Sequence, residues 1–178
     1  MEKFKILSSL PAYGEYPEQF SATGIGEHQE GFVVQFCPDG RPSWVGNFQR
    51  VLSGFDHVVM HPDGISVIVI SGGQAYVVDI VNRKMVNKFG GDIDGITEIK
   101  DRQRIVFSTP TTLLAVGKAG VLWESKRLSW DGVRSLAEKN GFIIGEAYDP
   151  MQDKWVPFSV DISTGAFTGG SFVGYHEK

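Results

Sequence analysis

His57 and His61 stand four residues apart, a spacing that on a helix would turn both imidazoles toward one metal ion. The surrounding residues read as a strand, in which positions 57, 59 and 61 share a face, and no third His, Cys or carboxylate follows at ligand spacing. The pair is accordingly expected at the surface or in a turn, not at zinc. Asp92, Asp94 and Glu98 gather around Gly95, and carboxylate oxygens are what calcium takes. Their spacing is that of an incomplete calcium loop, so the segment is expected to connect two sheets with its acids solvated, without metal or cofactor. The stretch from Tyr148 to Lys154 poses the same choice and reads as a hairpin turn. Cys37 adjoins a Pro38-Asp39-Gly40 turn but lacks the His partner pattern of a nucleophile. Neither Ser71-Gly72-Gly73 nor Gly170-Ser171 completes a Gly-x-Ser-x-Gly elbow, and no strand-to-helix unit follows Gly24-Ile25-Gly26 to hold a dinucleotide.

Recognition chemistry is better represented. Trp123, Arg127, Trp130, Asp131, Tyr148 and Trp155 fall close together in sequence, and Trp, Tyr and Arg dominate interface energetics when loops on rigid sheets present them. Against this, Trp123 and Trp155 lie inside expected strands, where large aromatic side chains pack. The candidate partner-binding residues are therefore Arg127, Trp130, Asp131, Tyr148 and Trp155, with sheet packing as the competing role for the aromatic ones.

The elements that would carry them come from a unit recurring about every forty residues. Its polar turns align at His61-Pro62-Asp63-Gly64-Ile65, at Lys100-Asp101-Arg102-Gln103-Arg104-Ile105 and at Lys139-Asn140-Gly141-Phe142-Ile143. In the clearest copy, a strand over 56–61 ends at Pro-Asp-Gly, and Ile65 to Ile70 forms a β-branched run suited to a buried strand. Gly72-Gly73 turns the chain into a strand over 75–80, and an edge strand over 85–89 carries a lysine that deters strand addition. A second copy starts near Ile96 and a third ends near Thr168, where Pro157 signals an edge or a bulge. An irregular first copy ends with strands at 31–36 and 43–48, matching the last two strands of the later units. Residues 10–29 read as loop with at most one short strand. Helical spacing of Val133, Leu136 and Ala137 competes with the repeat register there, and the register predicts a strand. The expected fold is all-β: one propeller-like domain over 1–178, an array of about four antiparallel four-stranded sheets, the first irregular, in units of about 1–54, 55–91, 92–131 and 132–175.

Composition narrows the function classes. The 178 residues carry a net charge of -4, and no basic run exceeds two residues, as in Lys126-Arg127, which is too short to attract a phosphate backbone. Nucleic-acid binding is not expected. The lone Cys37 permits no intrachain disulfide, the apolar run in Met1 to Leu7 is short for a signal peptide, and no stretch approaches a membrane span. A cytoplasmic protein without membrane association is expected.

Residues Asp56 to Phe89, with Pro-Asp-Gly, the Ile-rich strand and Tyr76-Val77-Val78-Asp79-Ile80, resemble a blade of a β-propeller of the WD-repeat or quinoprotein-like kind. The C-terminal part, from Leu128-Ser129-Trp130-Asp131-Gly132 through Trp155-Val156-Pro157-Phe158 to Gly169-Gly170-Ser171, is similar to an uncharacterised group of bacterial proteins. The resemblance and the lack of a catalytic constellation imply a non-catalytic binding or scaffolding module for a protein partner, for example a bacterial immunity or accessory factor. A second copy of the chain is an alternative partner, completing a ring as a homodimer. The alternative function is a metal-assisted hydrolase or lactonase of propeller type, with a central calcium held by acids among Asp92, Asp94, Glu98, Glu146 and Asp161.

Overall fold

The computed structural model describes residues 2–24, 29–99 and 103–172. Ile25 and Gly26 of the glycine-pair segment and Lys100, Asp101 and Arg102 of the second repeat turn lie outside these residues. Among the described residues the chain forms an all-β, propeller-like array of four four-stranded sheets. By contacts it divides into two compact units, residues 1–93 and 94–178, each containing two sheets. Among the described residues no helix is long and apolar enough to cross a membrane.

In the first unit, β1 (Phe4–Leu7), β2 (Glu18–Phe20), β3 (Phe32–Phe36) and β4 (Trp44–Phe48) form a sheet in the order β1-β3-β4-β2. The expected irregularity takes a specific form. β3 and β4 are the two interior strands and do not match the last two of the later units. β2 closes the edge by pairing parallel to β4, and the other three sheets are antiparallel throughout. The second sheet follows chain order through β5 (His57–Met60), β6 (Val67–Ser71), β7 (Gln74–Asp79) and β8 (Lys84–Gly90). Every residue of β6 is buried, as its uninterrupted β-branched run requires. That strand begins two residues later than expected because the Asp63 carboxylate accepts the Ile65 and Ser66 N–H groups at 2.8 Å each. Both residues stay in the turn, and Ile65 is left exposed. Burial pushes the Asp63 carboxyl up, but these two N–H groups outweigh it and hold the group below its ordinary range.

The core of this unit is aromatic. Phe20 stacks on Phe48 at 4.6 Å, Phe48 meets Tyr76 edge-on at 5.4 Å, and Phe36, Trp44, Val69 and Val78 join them. Tyr76 is fully buried and donates its hydroxyl to the Gln49 carbonyl at 2.8 Å. Burial pushes its pKa up to about 12.

The second unit contains β9 (Gly95–Ile99), β10 (Arg104–Ser108), β11 (Leu113–Gly117) and β12 (Gly120–Glu124), then β13 (Val133–Lys139), β14 (Phe142–Asp149), β15 (Lys154–Asp161) and β16 (Phe167–Gly169). Each sheet keeps chain order. The three aligned repeat turns fall at β5–β6, β9–β10 and β13–β14, the same place in three successive sheets. Residues 133–139 form a strand, as the repeat register predicts. Asn140-Gly141 closes the β13–β14 hairpin with φ of 52° and 88°, the positive pair a two-residue turn demands. Its core joins Leu128, Ile143, Ala147, Phe158, Val160 and Ile162 to Val106, Leu113 and Ala115.

Pro157 departs from expectation. It occupies an interior strand in unbroken register, opposite Glu146. Its carbonyl accepts from Gly170, so its nitrogen also faces the β16 side, beyond the last ladder pair Phe158–Gly169. The missing N–H therefore removes no β14 bond. Three edge strands do carry a register shift: β8, β12 and β13.

Candidate functional site

The connector from β12 to β13 carries the first half of the site. Leu128 is fully buried and anchors it, while backbone bonds fix both sides. Leu128 N–H donates to the Thr111 carbonyl at 2.9 Å, and Gly132 N–H to Pro110 at 2.7 Å. On the other side the Leu128 carbonyl accepts from Ser171 at 3.0 Å and Phe172 at 3.2 Å. A segment so pinned presents Arg127 and Trp130 from a rigid base. The Arg127 guanidinium lies over the rings of Phe172 at 4.6 Å and Trp130 at 5.4 Å. It donates to the carbonyls of Ser129 at 3.0 Å and Trp130 at 2.8 Å. Trp130 and Phe172 meet edge-on at 4.5 Å.

The second half stands on the last sheet. Tyr148 and Trp155 are cross-strand partners of β14 and β15, with ring centroids 5.3 Å apart. The Arg134 guanidinium covers Trp155 at 4.0 Å and bonds Glu146 at 2.9 Å. Tyr148 donates its hydroxyl to Asp153 at 2.7 Å, and that bond holds the phenol above its ordinary range. Ser171 couples the two halves. Its Oγ accepts the Trp130 N–H at 3.1 Å and donates to the Tyr148 carbonyl at 2.6 Å.

Four of the five candidate residues thus belong to one linked set: Arg127, Trp130, Tyr148 and Trp155. Asp131 is exposed beside Trp130. Trp123 takes the packing role, with its indole N–H on the Ile162 carbonyl at 2.8 Å. Sequence reasoning missed Arg134, Ser171 and Phe172. From the hairpin turn, register would place Ser135 opposite Glu146. An extra residue at Ser135, with φ of 57°, puts Arg134 there instead. A bulge of this kind re-aims side chains, and nothing in the residue types announces it.

The carboxylates have other work. Asp161 accepts the N–H groups of Ser163 at 2.7 Å and Thr164 at 3.0 Å and shapes the β15–β16 turn. Glu146 pairs with Arg134, and Asp94 accepts the Ser108 hydroxyl at 2.8 Å. Asp92 and Glu98 are exposed. Among the described residues no three His, Cys, Asp or Glu side chains gather to hold a metal ion. His57 stacks on Phe55, whereas His61 is buried in its turn and accepts the Asp63 N–H at 3.1 Å. Four residues along a strand separate them by about 13 Å, too far to share one ion. Ser71 is buried with its hydroxyl on the Phe48 carbonyl at 2.9 Å, and Cys37 is half-buried.

No protein-family model matches the sequence, and no curated protein matches it. Among solved structures, the chain is similar to one described as the crystal structure of the eukaryotic initiation factor, at 10% identity and a TM-score of 0.44. That likeness covers 80% of this chain and 40% of that one, so the chain spans less than half its length. The crystal structure of Myxococcus xanthus glutaminyl cyclase is similar at 13% identity and a TM-score of 0.33, covering 91% of this chain and 73% of that one.

Proposed function

We propose that the chain is a non-catalytic binding module that recognises a protein partner through the surface formed by Arg127, Trp130, Phe172, Arg134, Tyr148 and Trp155. The observation that carries the reading is the pair of guanidinium–aromatic stacks joined through Ser171. Their side chains are half-buried or exposed, yet already held in place, so a partner meets large amphipathic groups whose ordering cost has been met by folding. The acids of the hydrolase reading are engaged in turns and an ion pair or stand apart in exposed positions, which favours binding over metal-assisted chemistry. A bacterial immunity or accessory role is the setting carried by the C-terminal resemblance, and the lone Cys37 favours a reducing, cytoplasmic compartment. A second copy of the chain is an alternative occupant of the surface.

The test is affinity capture from the source cell with the intact chain, Trp130→Ala and Trp155→Ala, each checked for folding by circular dichroism and for self-association by native mass. A partner that binds the intact chain and is lost from both variants is expected. Retention by both variants, or a monomer with no partner, overturns the proposal.

A further inference from the structure

The first unit contains a groove of about 400 Å³, open along one side, between β2 and the start of β8. One wall is Glu18, Gln19, Phe20 and Ser21, and the other is Arg83, Lys84 and Met85. Both walls are fixed. Asp79 accepts the N–H groups of Val81 at 2.9 Å and Asn82 at 3.0 Å and so shapes the β7–β8 turn. Arg83 bonds Glu15 at 2.6 Å and rests over the Trp44 ring at 5.8 Å. On the other side, Ser21 donates to Gln49 at 2.8 Å, and Phe20 is seated on Phe48.

Two features indicate what the groove takes. The Phe20 carbonyl accepts the Gln49 N–H across the parallel β2–β4 pair. Backbone groups alternate sides along a strand, so Gln19 directs its N–H and C=O to the open edge of the sheet, which has no further strand among the described residues. An extended peptide supplies the complementary donor and acceptor. In addition, Glu18 and Lys84 bring opposite charges to the two walls, and neither side chain has a partner among the described residues.

We infer that this groove binds an extended peptide segment of a partner protein, laid along β2, with a basic residue meeting Glu18 and an acidic residue meeting Lys84. The site is on the other unit from the aromatic surface and does not depend on it. A phage-displayed library of random dodecapeptides selected on the full chain supplies the probes, which are then synthesised with acetylated and amidated ends. Fluorescence anisotropy measures their affinity for the intact chain, Glu18→Lys, Lys84→Glu, the double reversal and Trp155→Ala. Selected peptides are expected to carry both charges, to weaken about tenfold against each single reversal, and to bind Trp155→Ala unchanged. Peptides with their two charges exchanged are expected to recover affinity on the double reversal. No enrichment, affinity for both single reversals unchanged from the intact chain, or binding that needs free peptide termini overturns the inference.

Discussion

Gly170 joins the core of the second unit to its candidate site, and replacing it by alanine tests that connection. Its φ is +84°, and a Cβ there would lie 2.4 Å from the Leu128 carbonyl oxygen, about 1 Å inside ordinary contact. That oxygen accepts from Ser171 and Phe172, so its withdrawal weakens two hydrogen bonds worth about 1 kcal/mol each. Positive φ adds about 1–2 kcal/mol. Gly170→Ala is thus expected to cost about 3–4 kcal/mol. Gly120→Ala in the same unit is the control, because its φ is +107° and a Cβ there meets nothing within 4 Å. Backbone strain at Gly120 is at least as large, since +107° lies further from the left-handed minimum, but no carbonyl has to move. Urea unfolding followed by tryptophan fluorescence should show Gly170→Ala less stable than Gly120→Ala by about 2 kcal/mol. Equal losses in the two variants would refute the claim that the Leu128 carbonyl clamps the residues after β16.

Ser171→Ala removes the link between Trp130 and Tyr148 and is expected to cost about 1–3 kcal/mol, measured by urea unfolding. Partner capture should fall with it even at temperatures where the variant remains folded. Tyr76 gives a pH dependence. Its folded pKa of about 12 exceeds the unfolded value of about 10, so its contribution is fully present below pH 10 and is lost as pH rises through 12. Tyr76→Phe is expected to lose about 1 kcal/mol at neutral pH with the Gln49 bond and to flatten the decline between pH 10 and 12. An unchanged alkaline profile in a melting-temperature series counts against this origin.

Much of the fold was legible because its signals are local. The β-branched run into β6, the Asn140-Gly141 turn and the glycine pair after β6 each state their conformation in residue type, and the recurrence of the first turn gives the register of three sheets. Helical spacing at Val133, Leu136 and Ala137 yields to strand because tertiary pairing with β14 outweighs local periodicity. The parallel seat of β2 was not legible. Its three residues gain their place from burying Phe20 against Phe48, a contact between distant segments. The same holds for the site. Trp130, Tyr148 and Trp155 are conspicuous as residue types, but Phe172 reaches Trp130 only through the path taken after β16. Arg134 reaches Trp155 only because Ser135 is an extra residue.

The shifts in β8, β12 and β13 also bear on how the chain behaves when crowded or briefly opened. A cross-β fibril needs six or seven consecutive residues that hold one hydrogen-bond spacing. The two longest edge strands, β8 and β13, each have seven residues, but the shift leaves β8 no regular paired run beyond Asn87–Gly90 and β13 none beyond Ala137–Lys139. In β12 the break falls at Leu122. These borders are poor templates for fibril growth, and the protein can leave the short rim of β2 open to a chosen strand without its longest margins seeding an unwanted one.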